Sequence, residues 1–146
     1  LVQLSKDFFN YYAYHSNKSY QNVTISLVDC TKLETLASVC NSIFGNNQSA
    51  MQQVDPYTVQ PYFRNKKRWF YDMGDYISKF ASAAEQAEFK SVLEQVMVYR
   101  DATPKFLEIT INVYSGLSIY VPNYSATNLN SYYRTLDWNK ATGLLQ

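Results

Sequence analysis

The chain carries a single histidine, His15, and two cysteines, Cys30 and Cys40, in 146 residues. Glycine and proline are scarce as well, four of each. Each shortage excludes something. One His and two separated Cys offer no zinc-type ligand spacing. Two cysteines build no disulfide framework. If residues 31–44 form a helix, Cys30 and Cys40 lie on the order of 15 Å apart at a rise of about 1.5 Å per residue. A bridge needs less than about 7 Å between Cα atoms, so two free, mostly buried thiols are expected. There is no Gly-rich phosphate loop and no Gly-x-Ser-x-Gly elbow. No apolar run approaches the roughly 18 residues of a membrane span. A net charge of +1 gives no electrostatic reason for a nucleic-acid or anionic-membrane partner. No signal peptide opens the chain. Leu1 in place of Met points to an excised domain, a trimmed chain or a processing product.

Tyrosine is abundant, with 14 residues. Amphipathic rings suit half-buried sheets, wet interfaces, and sugar or peptide recognition. The one basic run is Arg64, Lys66, Lys67 and Arg68, followed by Trp69, Phe70 and Tyr71. A polyanion is one partner for such a run. A solvated loop leading into a helix is the plainer reading.

Periodicity divides the chain into elements. Residues 5–14 read as a helix, with Phe8, Phe9 and Tyr12 on one side. Residues 23–28 alternate apolar with polar and are β-branched, hence a strand. Asp29 or Thr31 then caps a helix, with Thr31 and Glu34 as its capping box and Leu33, Leu36, Ala37, Cys40 and Phe44 as its stripe. Gly45, Asn46 and Asn47 stop it. Pro56 and Pro61 keep residues 57–64 extended. Residues 72–83 read as a short helix. Residues 85–99 form the strongest helix, with Phe89, Val92, Leu93, Val96 and Met97 in register. Residues 106–113 and 117–121 read as two strands of a hairpin or bulged pair. Residues 128–145 form a closing helix. One α/β unit, 1–146, accounts for this pattern.

Two constellations carry chemistry. His15 is the sole candidate imidazole base, and Cys30 ends a strand where a nucleophile meets a cleft. A six-residue strand of about 20 Å separates them, which argues for a surface histidine and a packed thiol. Asp72 and Asp75 resemble half a calcium loop, but no Glu follows at the EF-hand position, so both read as helix caps. No catalytic, cofactor or metal site is assigned. Asn17, Asn22, Asn47 and Asn123 begin glycosylation sequons, at a rate that chance explains in so Asn- and Ser-rich a chain.

Three segments resemble clostripain-like cysteine peptidases, family C11. Thr24, Ser26, Asp29, Lys32 and Leu33 fit that family's strand and following helix. Tyr71 and Asp72 fit its helix start. Gly116, Leu117, Ser118, Tyr120 and Pro122 fit its Gly-Leu-Ser-x-Tyr-x-Pro strand. Cys30 falls where the family carries a hydrophobic residue, and the His-Gly and Asp-Ala-Cys segments of its reaction centre are missing. The resemblance implies a mixed α/β chain: the C-terminal part of a caspase-like α/β/α sandwich with an added helical subdomain. It implies no cofactor, and as partners the N-terminal catalytic portion of the same peptidase and a peptide or protein substrate. It further implies cleavage after Arg or Lys and a secreted, cell-surface or periplasmic bacterial protein, with this chain inactive alone. The competing expectation is a non-enzymatic secreted module that binds peptide or glycan. Exposure of Tyr57, Tyr62, Trp69, Phe70 and Tyr71 together would favour the module; their burial would favour the peptidase.

Overall fold

The computed structural model describes residues 1–63, 69–123 and 125–146. The basic run at 64–68 lies outside the described residues. The elements, in order, are α1 (Val2–Ala13), β1 (Thr24–Val28), α2 (Leu33–Asn46), α3 (Gln48–Met51), β2 (Phe70–Asp72), α4 (Met73–Ser78), α5 (Ala83–Val96), β3 (Met97–Ala102), β4 (Lys105–Phe106), β5 (Ile109–Thr110), β6 (Ser118–Tyr120), α6 (Thr127–Thr135) and α7 (Asp137–Thr142). Short 3-10 turns precede β1 and α2 and follow α3. This is a mixed α/β chain. Its described strands form three antiparallel pairs: β1 with β3, β2 with β6, and β4 with β5.

The core gathers where α2 packs between α5 and α7. Leu36, Cys40, Ile43 and Phe44 of α2 meet Phe89, Leu93 and Val96 of α5, Tyr76 and Ile77 of α4, and Ile119 and Tyr120 of β6. Leu36, Cys40, Phe44, Ile77, Val96 and Tyr120 are wholly excluded from water. Such burial is the main favourable term in folding. The chain's last apolar pair, Leu144 and Leu145, closes the core.

Several expectations change at element ends. Asp29, not Thr31, opens the turn into α2: its Oδ1 accepts from the Thr31 N–H at 3.0 Å and the Thr31 hydroxyl at 2.6 Å. With Thr31 so engaged, no Thr31–Glu34 capping box forms at α2. The box sits instead at α5, where Ser82 and Glu85 bond reciprocally. The helix expected over 85–99 stops at Val96, and Met97 begins β3, which pairs with β1 across 69 to 78 residues of sequence, from Val28↔Met97 to Thr24↔Ala102. The hairpin expected between 106–113 and 117–121 does not form. Residues 105–110 turn back on themselves through Leu107 (φ 46°) and Glu108 (φ 70°), and β6 pairs with β2. The closing helix is broken at Leu136, whose extended backbone (ψ 140°) ends α6 and starts α7. That bend lets Asn139 hold Leu145 in the core, accepting from its N–H at 2.9 Å and donating to its carbonyl at 3.0 Å. In β6, Ile119 and Tyr120 are both buried, so alternation does not leave Tyr120 outside. Its hydroxyl donates to Asn130 Oδ1 at 2.5 Å, which satisfies its polar end.

Candidate functional site

His15 and Cys30 are not brought together. His15 follows α1, and its Nδ1 accepts from the Asn17 N–H at 3.0 Å. Its ring lies between Tyr11 and Tyr20, with centroids 5.5 and 4.8 Å away. The loop after it leads into the start of β1, whereas Cys30 stands past the far end of that strand. Five extended residues intervene, roughly 17 Å. Contrary to the expected packing, the Cys30 thiol is exposed, because the turn opened by Asp29 faces outward. Cys40 is buried, and burial pushes its thiol up to about 12. A thiol so raised stays protonated and unreactive at neutral pH.

Asp72 and Asp75 do cap and support α4, and they also do more. Asp72 is wholly buried as the N-cap, its Oδ1 accepting from the Asp75 N–H at 2.8 Å. Its Oδ2 accepts from the Ser115 N–H at 2.6 Å and from the Tyr62 hydroxyl. Asp75 Oδ2 accepts from the Gln60 N–H at 2.7 Å, and Lys79 Nζ lies 3.0 Å from Oδ1. Gln60 extends the network: its Nε2 donates to the Thr110 carbonyl at 3.1 Å, and its Oε1 accepts from the Asn112 N–H at 2.9 Å. The two carboxylates thus clip three segments together, the stretch before β2, the start of α4, and the irregular loop before β6. Burial, with Asp72 beside it, drives Tyr62 far above the ordinary phenol range, so its hydroxyl remains a donor. Tyr114 meets Tyr62 edge to face at 5.9 Å and is raised chiefly by burial.

Two grooves flank this loop. One, of about 350 Å³, is lined by Tyr57, Val59, Asp75, Lys79 and Asn112. The other, of about 460 Å³, is lined by Arg100, Asp101, Thr103, Asn112 and Tyr114. In the first, Lys79 matches the charge of Asp75, so that wall offers no free carboxylate to a cationic side chain. Among the described residues no cluster of three His, Cys, Asp or Glu is placed to hold a metal ion. The network's acceptors are already filled by backbone and phenol donors. Its chemistry is positional: it sets the loop and the groove walls.

Sequence reasoning found the Asp72 cap; Asp75, read as a second cap, sits in the first turn and accepts from Gln60 instead, and Gln60, Tyr62, Ser115 and Tyr114 were missed. Their bonds cross 10 to 52 residues of sequence and leave no local pattern. The diagnostic aromatics divide: Tyr57 and Phe70 are 79% and 53% exposed, Tyr71 is buried, and Tyr62 and Trp69 are half-buried. Asn47, first residue of a sequon, donates to the Ile43 carbonyl at 2.8 Å and to Glu85 at 3.0 Å.

With this arrangement of helices, paired strands and a clipped loop, the chain has the fold of part of a C11, clostripain-like cysteine protease. An inactive zymogen C11 protease from Parabacteroides distasonis superposes with a TM-score of 0.86 at 29% identity, over 97% of this chain and 42% of that one. A clostripain from Bacteroides thetaiotaomicron, solved with a peptide inhibitor, superposes at 0.78 with 25% identity, over 94% of this chain and 61% of that one. A B. fragilis cysteine protease shares the fold at 0.83 and 24% identity, over 97% of this chain and 64% of that one. The chain therefore spans between about two-fifths and two-thirds of these relatives. No family model and no curated protein sequence matches it.

Proposed function

We propose that this chain is the C-terminal, cleft-supporting portion of a clostripain-like cysteine endopeptidase. The catalytic Cys and His then lie outside residues 1–146. One observation carries the reading: nearly the whole chain superposes on less than half of a C11 zymogen, at 29% identity. The separation of His15 from Cys30 supports it. In this reading the chain completes a caspase-like α/β/α sandwich, and its partners are the N-terminal catalytic portion and a peptide or protein substrate. Arg or Lys specificity and a secreted, surface or periplasmic location come with the family resemblance. A C11 cysteine protease from Bacteroides thetaiotaomicron that shares this fold, at 25% identity, is secreted, and among the described residues no helix is long and apolar enough to cross a membrane.

The test is hydrolysis of Arg- and Lys-ester substrates by the purified chain, with and without the catalytic portion. No turnover is expected from the chain alone. Turnover by the chain alone that vanishes in both Cys30→Ala and His15→Ala overturns the reading.

The binding-module reading draws on a different feature. Phe8, Tyr11, Tyr14 and Tyr20 are all exposed around α1 and its following loop. Saturable binding of a peptide or glycan by the chain alone, lost in Tyr11→Ala, would favour that module.

A further inference from the structure

The loop after α1 and the β4–β5 turn face each other across two hollows. One, of about 510 Å³, is lined by Lys18, Gln21, Asn22, Lys105 and Glu108. The other, of about 480 Å³, is lined by Tyr12, Tyr20, Asn22 and Glu108. Asn22 and Glu108 are common to both, so the hollows adjoin as one groove with a cationic end and an aromatic end. The two walls are tied at their base. Thr103 Oγ1 accepts from the Val23 N–H at 2.9 Å and donates to the Lys105 carbonyl at 2.7 Å. The Thr103 N–H donates to the Val23 carbonyl at 2.9 Å, and both residues are buried.

Lys18 and Lys105 are exposed, and among the described residues neither has a carboxylate within ion-pair reach. Glu108 has a partner of its own. Gln21 Nε2 donates to the His15 carbonyl at 2.8 Å, and Asn22 Nδ2 donates to the Ser19 carbonyl at 3.1 Å. Each amide fixes the loop through its donor side, and no described group donates to its oxygen. Tyr20 is exposed, and His15 backs its ring at 4.8 Å. His15 is set in turn by the Asn17 N–H on its Nδ1. The lone histidine thus steadies an aromatic wall. On the opposite wall Leu107 and Glu108 hold positive φ, a backbone strain that gathers where side chains are posed for a ligand.

We propose that this groove binds an acidic saccharide. The ammonium groups of Lys18 and Lys105 receive a sugar carboxylate. The amide oxygens of Gln21 and Asn22 accept from sugar hydroxyls. Tyr20 offers a flat apolar face to the C–H side of a sugar ring. Each hollow lies within the roughly 300–1,000 Å³ of a small-ligand site. A neutral sugar would leave both lysines unused. An acidic peptide would use them, but its backbone brings one carbonyl for every N–H to amide oxygens that only accept. A sugar ring brings several hydroxyl donors instead. Such a groove serves a peptidase portion and a binding module alike, so its presence does not depend on the proposed function.

Titration of residues 1–146 with digalacturonate and with sialyllactose, followed through amide chemical shifts, tests this. Lactose is the neutral probe and triglutamate the acidic peptide. Saturable shifts centred on residues 18–22 and 105–108 are expected from at least one acidic sugar, with a Kd of about 1 mM or tighter. Lys18→Gln combined with Lys105→Gln should weaken that binding about tenfold, as should Tyr20→Ala alone. All three side chains are exposed, so thermal melts should stay unchanged. No saturation by either acidic sugar, or lactose binding as tightly as they do, overturns the proposal. Triglutamate binding more tightly than both reassigns the groove to an acidic peptide and overturns it. Sugar binding lost in Tyr11→Ala and kept in Tyr20→Ala places the ligand on the exposed α1 aromatics and overturns it as well. None of these failures touches the peptidase reading, which stands or falls on its own turnover test.

Discussion

The helical core and the β1–β3 ribbon are built from similar residues and reach different ends. Around α2, side chains from several helices and strands leave Leu36, Phe44, Ile77 and Val96 with no accessible surface. In the ribbon, Ile25, Leu27, Val28 and Tyr99 are only partly covered, and Val98 is 48% exposed. The difference is topological rather than compositional. Helices enclose the core from several sides, whereas the ribbon has α1 on one face, a loop on the other, and, among the described residues, no strand paired to the outer edge of β1. In this chain the core is enclosed and the ribbon is only partly covered.

The largest expected effect breaks or establishes this contrast directly. Ile119→Asp places an unpaired carboxylate at a site 2% exposed in the core and is expected to abolish cooperative folding. Val98→Asp, on the ribbon, is expected to leave the isolated chain folded. A soluble Ile119→Asp variant with a sharp thermal melt would erase the distinction.

Truncations grade it. Leu36→Ala should cost roughly 2–5 kcal/mol in denaturant melts of the isolated chain, the range for a closed core site. Leu27→Ala should cost about 1 kcal/mol there, because little of its surface leaves water.

The seam between the regions runs through Gly116. Its φ is +84°, and a Cβ there would meet Met97 Cε at 2.9 Å and Arg100 Cδ at 3.1 Å. Both neighbours are flexible side chains, so the backbone sets the cost. Gly116→Ala should lose about 1–2 kcal/mol, and Gly116→Val more. Equal melts for the two variants would show that the loop re-forms around the substitution.

The smallest effect is a gain. Leu107 and Glu108 both hold positive φ in the β4–β5 turn, where Asn and Gly are favoured. Leu107→Asn should raise stability by up to about 1 kcal/mol, read as a small upward shift of the melting temperature.

Core elements were legible in sequence where local pattern and tertiary role agree. The stripe of Leu36, Ala37, Cys40 and Phe44 and the spacing of Phe89 and Leu93 each announced a helix, and each is buried as expected. Gly116 takes a positive φ just ahead of β6, a conformation that a side chain would strain. Residues 97–99 were misread because Met97 continues the helical spacing, and only a distant partner strand makes that segment extended. The carboxylate network was half legible. Asp72 preceding a helix is a local signal. Tyr62, Gln60 and Ser115 reach it through folding alone.

α5 passes into β3 with no intervening loop: Val96 is the last helical residue and Met97 the first of the strand. The rotational setting of α5 about its own axis therefore decides which side chains of β3 face α1 and which face Tyr114. One residue inserted at this junction would exchange the faces of the ribbon that Tyr99 and Arg100 occupy. The same insertion at the Leu107–Glu108 tip would lengthen a surface turn. The two sites differ in what length change they accept. The junction tolerates no change of length without refacing the strand, whereas the tip can take an extra residue at the surface.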